Sequence, residues 1–125
     1  MTLKESIDIL QRAERYFNTP KYQSALILLR NSLGESRLKD FEHAIRYIPS
    51  DDELFTSLVE KLKGKSVYKT LKKVLEGKID NNYDGLKCLF SLGTHVAIEC
   101  KQNPEYRALL PRIYEHISKM LFELE

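Results

Sequence analysis

The sequence has few of the residues that build metal centres, disulfide frameworks or phosphate-binding loops. Its 125 residues include two cysteines, three histidines and five glycines. It contains no His-x-x-x-His, Cys-x-x-Cys or Glu-x-x-His pair, and its glycines are scattered rather than grouped. We therefore expect no metal site, no cofactor and no glycine-rich loop for a nucleotide phosphate.

The two cysteines are also too far apart for a disulfide bond if they share a helix. Cys88 and Cys100 would then lie roughly 18 Å apart, because an α-helix rises about 1.5 Å per residue. A disulfide needs Cα atoms within about 7 Å of each other. Both residues are predicted to be small, buried apolar side chains.

Long hydrophobic runs are missing as well. No apolar run approaches the roughly 18 residues that a membrane span needs. The first six residues, Met-Thr-Leu-Lys-Glu-Ser, lack the charged-then-apolar order of a signal peptide. We expect a cytoplasmic protein without membrane contact, in which residues 1–125 form one domain.

Apolar residues recur at helical spacing along most of the chain, and no segment alternates with period two for long enough to form a strand. This pattern predicts an all-α, single-domain bundle of five to seven helices. Capping signals predict helices that begin near Thr2, Thr19, Ser36, Ser50 and Ser66, followed by a central helix and a last helix after Asn103. Pro111 leaves two alternatives open, a kink in the last helix or a helix that begins there.

The most apolar long segment covers about residues 84–101 and is predicted to be the central helix. Leu89, Gly93 and Val96 lie on one stripe of that helix. Glycine inside a helix costs roughly 1 kcal/mol relative to alanine, so its position there predicts the close approach of another backbone. That backbone could belong to the same chain or to a second copy. We predict self-association as a homodimer through Gly93, Leu89 and Val96.

Positive charge is concentrated in one short stretch. Seven lysines and a single acidic residue, Glu76, lie between Lys61 and Lys78. The predicted nucleic-acid-binding residues are Lys65, Lys69, Lys72, Lys73 and Tyr68. Lysines there could neutralise phosphates and the tyrosine could stack on a base, although no arginine is present for bidentate base contacts. The alternatives are an acidic protein partner and a surface that is merely solvated.

A second polar pattern lies on the central helix. Ser91, His95 and Glu99 are four residues apart and form one ridge. Their side chains would point outward in parallel, whereas the members of hydrolase triads come from separate elements and converge. We interpret the ridge as a structural polar seam.

The pattern Leu86-Lys-Cys-Leu-Phe-Ser-Leu-Gly-Thr-His95, followed by a capped final helix, resembles the carboxy-terminal half of HEPN-type helical domains. The segment Ala25–Leu33 is similar to their long amino-terminal helix. The resemblance implies a small bundle of the kind found in bacterial defence and toxin systems. Active HEPN ribonucleases carry an arginine and a histidine with four to six residues between them, and residues 88–90 contain no arginine to match His95.

These observations predict a non-catalytic helical interaction or dimerisation module, and the HEPN-type resemblance implies that it is a regulatory component of a bacterial defence or toxin–antitoxin system. The alternative is an HEPN-like ribonuclease or RNA-binding protein. It would use Arg37 and His43, which form an Arg-x5-His motif, together with the Lys65–Lys73 surface. A third hypothesis, a tetratricopeptide-like peptide-binding array, depends on the half-repeat Tyr22-Gln-Ser-Ala25.

Overall fold

A computed structural model describes residues 3–16, 24, 26–27, 31 and 52–124. The α-helices that it bounds in this part of the chain are α1 (Leu3–Tyr16), α2 (Asp52–Lys61), α3 (Tyr68–Leu75), α4 (Tyr83–Glu99) and α5 (Leu110–Glu123). A 3-10 helix, Pro104–Leu109, precedes α5. The described residues contain no strand, so the prediction of an all-α bundle is confirmed. The helices predicted to begin near Thr19 and Ser36 lie mostly outside the described residues.

Helix α4 is the centre of the bundle, as the apolar segment at 84–101 predicted. It contacts α1, α3, α5 and the 3-10 helix. Leu86, Leu89 and Phe90 are completely buried, and buried residues continue along most of its length to Ala97. Because this helix is apolar round much of its circumference, several neighbouring helices can bury their own apolar faces against it.

The Gly93 stripe of α4 is covered by the chain itself. Leu89 and Val96 are buried, and a methyl group added to Gly93 would lie 3.1 Å from Leu10 Cδ2 and 3.5 Å from Ile113 Cγ2. Helices α1 and α5 of the same chain therefore make the close approach that the glycine indicated. That Gly93, Leu89 and Val96 form an interface with a second copy stays a prediction; within the described chain all three residues are buried.

Two glycines in the left-handed backbone region follow helices α2 and α3. Gly64 has φ 93° and follows α2, whereas Gly77 has φ 67° and follows α3. Such φ values are strained for residues with a side chain, which explains why glycine occupies both positions. Helix α3 lies between the two glycines and comprises the eight residues Tyr68–Leu75.

The connection from α3 to α4 is held tightly against the start of α4. The Asn82 side chain caps α4 by accepting a hydrogen bond from the Gly85 backbone N–H at 2.9 Å. A side chain at Gly85 would collide with the backbone carbonyl of Asp80. Glycine is therefore required at this position because a side chain would not fit, and the close contact with Asp80 fixes the path by which the chain enters α4.

The last helix begins at Leu110, which places Pro111 at its second position. A proline in the first turn loses no helical hydrogen bond, since the N–H groups there have no partner within the helix. Of the two alternatives for Pro111, the one in which a new helix begins beside it is confirmed. Asn103 stands at the cap position of the preceding 3-10 helix, but its side chain makes no capping hydrogen bond.

Helices α2 and α5 are joined by one arginine. The Arg112 guanidinium forms an ion pair with Asp52 at the start of α2. It also lies 4.8 Å from the centre of the Phe55 ring. The arginine side chain is mostly buried, so its contacts combine charge pairing with packing on an aromatic face.

Candidate anion-binding surface

Helix α3 has one buried and one exposed face. Leu71 and Val74 are buried, whereas Lys69 and Lys73 are exposed. The two lysines are four residues apart, so they follow one another on the same side of the helix at a rise of about 6 Å. Lys69 and Lys73 are called the lysine ridge below.

The flank of α3 that faces α2 is occupied by a three-residue cluster. The Tyr68 hydroxyl donates a hydrogen bond to Glu60 at 3.3 Å, and the Lys72 Nζ lies 3.6 Å from the same carboxylate. Lys72 also lies 5.8 Å from the centre of the Tyr68 ring. Electrostatic interactions with Tyr68 and then Glu60 raise the pKa of Lys72. Two of the five residues predicted to contact nucleic acid are therefore engaged with an acid of the same chain.

The lysines before and after α3 are neutralised in the same way. The Lys65 Nζ lies 3.4 Å from both carboxylate oxygens of Glu99, at the end of α4. Lys61 pairs with Glu105 at 3.4 Å. At the carboxyl end of α3, Lys78 pairs with Glu76 at 3.0 Å.

These contacts divide the lysine-rich stretch into two groups. Four of its seven lysines form ion pairs with glutamates. Within the described residues, no ion pair is formed by Lys63, Lys69 or Lys73. The free positive charge of the surface is therefore concentrated on the lysine ridge and on Lys63 near Gly64.

Helices α3 and α4 run antiparallel. Lys65, just before α3, pairs with Glu99 at the end of α4, whereas Lys73 lines a cleft of about 100 Å³ together with Asp84 and Cys88 at the start of α4. The lysine ridge therefore runs alongside the exposed edge of α4, which carries Cys88, His95 and Glu99 at helical spacing.

The predicted ridge of Ser91, His95 and Glu99 does lie on the outer side of α4. His95 is exposed and Ser91 is half-buried. The Glu99 carboxylate pairs with Lys65, so the polar ridge is connected to the segment just before α3. The three side chains extend from one face of a single helix and do not converge on a common point. A nucleophile, a base and an orienting acid would need to converge.

The two cysteines have different environments. Cys100 is buried, and burial raises the pKa of its thiol to about 11. Cys88 is exposed, so the prediction that both cysteines are buried is wrong for this one. Cys88 shares a side of α4 with His95, and this position decides its exposure more than its apolar character does.

The described part of the chain contains no group of three His, Cys, Asp or Glu residues that could hold a metal ion. None of its helices is long and apolar enough to cross a membrane. Arg37 and His43, the predicted ribonuclease pair, lie outside the described residues.

The acids that neutralise the lysines were missed by sequence reasoning. Glu99 is 34 residues from Lys65 and Glu105 is 44 residues from Lys61. Pairs at such separations form only because helices pack together, and helical spacing within one segment carries no signal for them. The exposure of Lys69 and Lys73, in contrast, follows from the spacing within α3 alone.

No protein-family model matches the chain, and neither a curated protein nor a solved structure matches it.

Proposed function

We propose that this protein is a non-catalytic helical binding module that recognises an anionic partner through the lysine ridge. One observation carries the proposal: Lys69 and Lys73 are exposed, one helical turn apart and without an ion pair among the described residues, while the nearby Lys65 and Lys72 are paired. Two neighbouring uncompensated ammonium groups attract a negatively charged ligand and orient it on approach.

The polar side chains of α4 support a binding role over a catalytic one. Ser91 and His95 project from one face of a single helix, and the Glu99 carboxylate forms an ion pair with Lys65. General acid–base or nucleophilic chemistry needs groups within hydrogen-bond reach of one another and of a shared substrate atom.

The proposed setting is a regulatory component of a bacterial defence or toxin–antitoxin system, and it depends on the HEPN-type resemblance. Self-association remains part of this proposal. The Gly93 stripe is in contact with Leu10 and Ile113 of the same chain.

Fluorescence anisotropy with two labelled probes, a short single-stranded RNA and an acidic peptide, tests the proposal at low ionic strength. The double variant Lys69→Glu/Lys73→Glu should lose binding to whichever probe the native protein binds. Lys4→Glu/Lys119→Glu is the matched control, because it makes the same change in net charge at exposed positions on α1 and α5. The control should bind as the native protein does.

Three results would overturn the proposal. Failure of both probes to bind at low ionic strength would exclude the proposal that the partner is anionic. Equal losses in the ridge variant and the control would show attraction by net charge rather than by a surface. If the native protein cleaves the RNA and the Arg37→Ala or His43→Ala variant does not, the ribonuclease alternative would be established instead.

A further inference from the structure

We propose that the partner of the lysine ridge is an acidic α-helix of another protein, with carboxylates four residues apart along one side. This inference rests on the proposed binding function and names the class of partner that the surface accepts. It follows from the width of the ridge, from its spacing and from the ligands that neighbouring lysines already hold.

The ridge is narrow because the lysines next to it are already paired with acids. Glu60 of α2 pairs with Lys72, beside Lys73, and Glu99 of α4 pairs with Lys65, just before α3; both carboxylates are partly exposed. A polyphosphate strand carries negative charge on every unit and would bring some of it against these two acids. A helix with a single row of carboxylates can place its negative charge on the ridge and direct neutral residues toward the flanks.

The spacing of the ridge equals that of acids on a helix. Lys69 and Lys73 are separated by a helical rise of about 6 Å, which is also the rise between residues i and i+4 of a partner helix. A partner that packs with its axis near that of α3 would therefore bring two carboxylates to the two ammonium groups at once.

The protein already binds carboxylates in this manner on α3 and immediately before it. Glu99 reaches Lys65 from the neighbouring helix α4, with both carboxylate oxygens 3.4 Å from Nζ. Glu60 reaches Lys72 and Tyr68 from the neighbouring helix α2. Two neighbouring helices thus supply one carboxylate to a lysine of α3 and one to the lysine just before α3, and the outer side of α3 offers the same contact to a third helix.

Two synthetic peptides of identical composition separate this proposal from simple charge attraction. In the first, glutamates recur every four residues on one side of a helix; in the second, the same glutamates are distributed round the helix. A single-stranded RNA of equal charge is the third probe. We expect the first peptide to bind at least about fivefold more tightly than the second, because two exposed ion pairs are gained together.

A charge exchange provides the decisive control. The Lys69→Glu/Lys73→Glu variant should no longer bind the first peptide. It should instead bind a version of that peptide with lysines in place of its glutamates. The Lys4→Glu/Lys119→Glu variant should keep the native preference. Rescue by the lysine peptide would also show that the ridge variant is folded.

The failures of the two proposals are distinguishable. Equal binding of both peptides, or tighter binding of the RNA, would overturn the helical partner and leave an anion-binding module in place. Absence of binding by all three probes at low ionic strength would overturn the binding module and the helical partner together.

Discussion

Gly93 of α4 lies directly against Leu10 of α1. A methyl group at Gly93 would stand 3.1 Å from Leu10 Cδ2, a contact that Leu10 can relieve only by shifting slightly. This contact explains why a glycine is present in the middle of the most apolar helix. It also sets the distance between α1 and α4, on which the burial of both helices depends.

Substitutions at Gly93 should therefore separate helix propensity from packing. Gly93→Ala should change the free energy of unfolding by no more than about 1 kcal/mol, since the gain in helix propensity is offset by the tight contact. Gly93→Leu should lose about 3 kcal/mol, because its side chain cannot fit between Leu10 and Ile113. Urea denaturation monitored by circular dichroism measures both values. A Gly93→Leu variant as stable as the native protein would contradict this account.

Arg112 should contribute more through packing than through its ion pair. Its side chain is 18% exposed, whereas that of Asp52 is 79% exposed. Arg112→Ala should therefore cost about 1–2 kcal/mol through lost contact with the Phe55 ring, and Asp52→Asn should cost less than about 1 kcal/mol. Thermal unfolding of the two variants measures the difference. A larger loss for Asp52→Asn would show that the ion pair dominates instead.

The two thiols should differ in reactivity. Cys88 is exposed, whereas burial of Cys100 raises the pKa of its thiol to about 11 and keeps it in the unreactive protonated form. With a chromogenic disulfide reagent at pH 8, one thiol of the folded protein should react rapidly, and the second should react only when the protein unfolds. In Cys88→Ser the rapid phase should vanish, and two rapid equivalents in the native protein would refute the assignment.

Stability should fall as the pH drops below about 6.5, and His116 should contribute to that fall. Burial lowers the pKa of His116; Lys119 and Arg112 lower it further, while Glu115 opposes the shift. The unfolded chain then binds a proton at a higher pH than the folded chain does, so acidification favours unfolding. The melting temperature between pH 7 and 5.5 measures the effect, which should be smaller in His116→Gln. An identical pH dependence in that variant would exclude His116 as the cause.

Local patterns predicted much of the fold. Helical spacing of apolar residues identified α4, and the restricted backbone of proline predicted a kink or a helix start at Pro111. Each of these signals acts within a few residues of its own position. The neighbour of Gly93 could not be predicted, because Leu10 meets it only after α1 has packed on α4.

In the candidate site, too, local sequence patterns predicted some features and only the packing of helices determined the others. The spacing of α3 was enough to put Lys69 and Lys73 on one side, but nothing near Lys65 or Lys72 in sequence identified Glu99 and Glu60 as their partners. The environment of Cys88 was assigned from its residue type, although its position seven residues before His95 placed it on the polar side of α4. Helix position predicts exposure better than residue type for a side chain as small as cysteine.

The two left-handed glycines that bound α3 also limit how strongly one ligand can be held. An eight-residue helix is about 12 Å long, which leaves space for two ridge lysines and no third. A single encounter therefore gains two exposed ion pairs, which makes it brief and sensitive to salt. Durable attachment would have to come from avidity, with several copies of this module engaging repeated acidic segments at the same time.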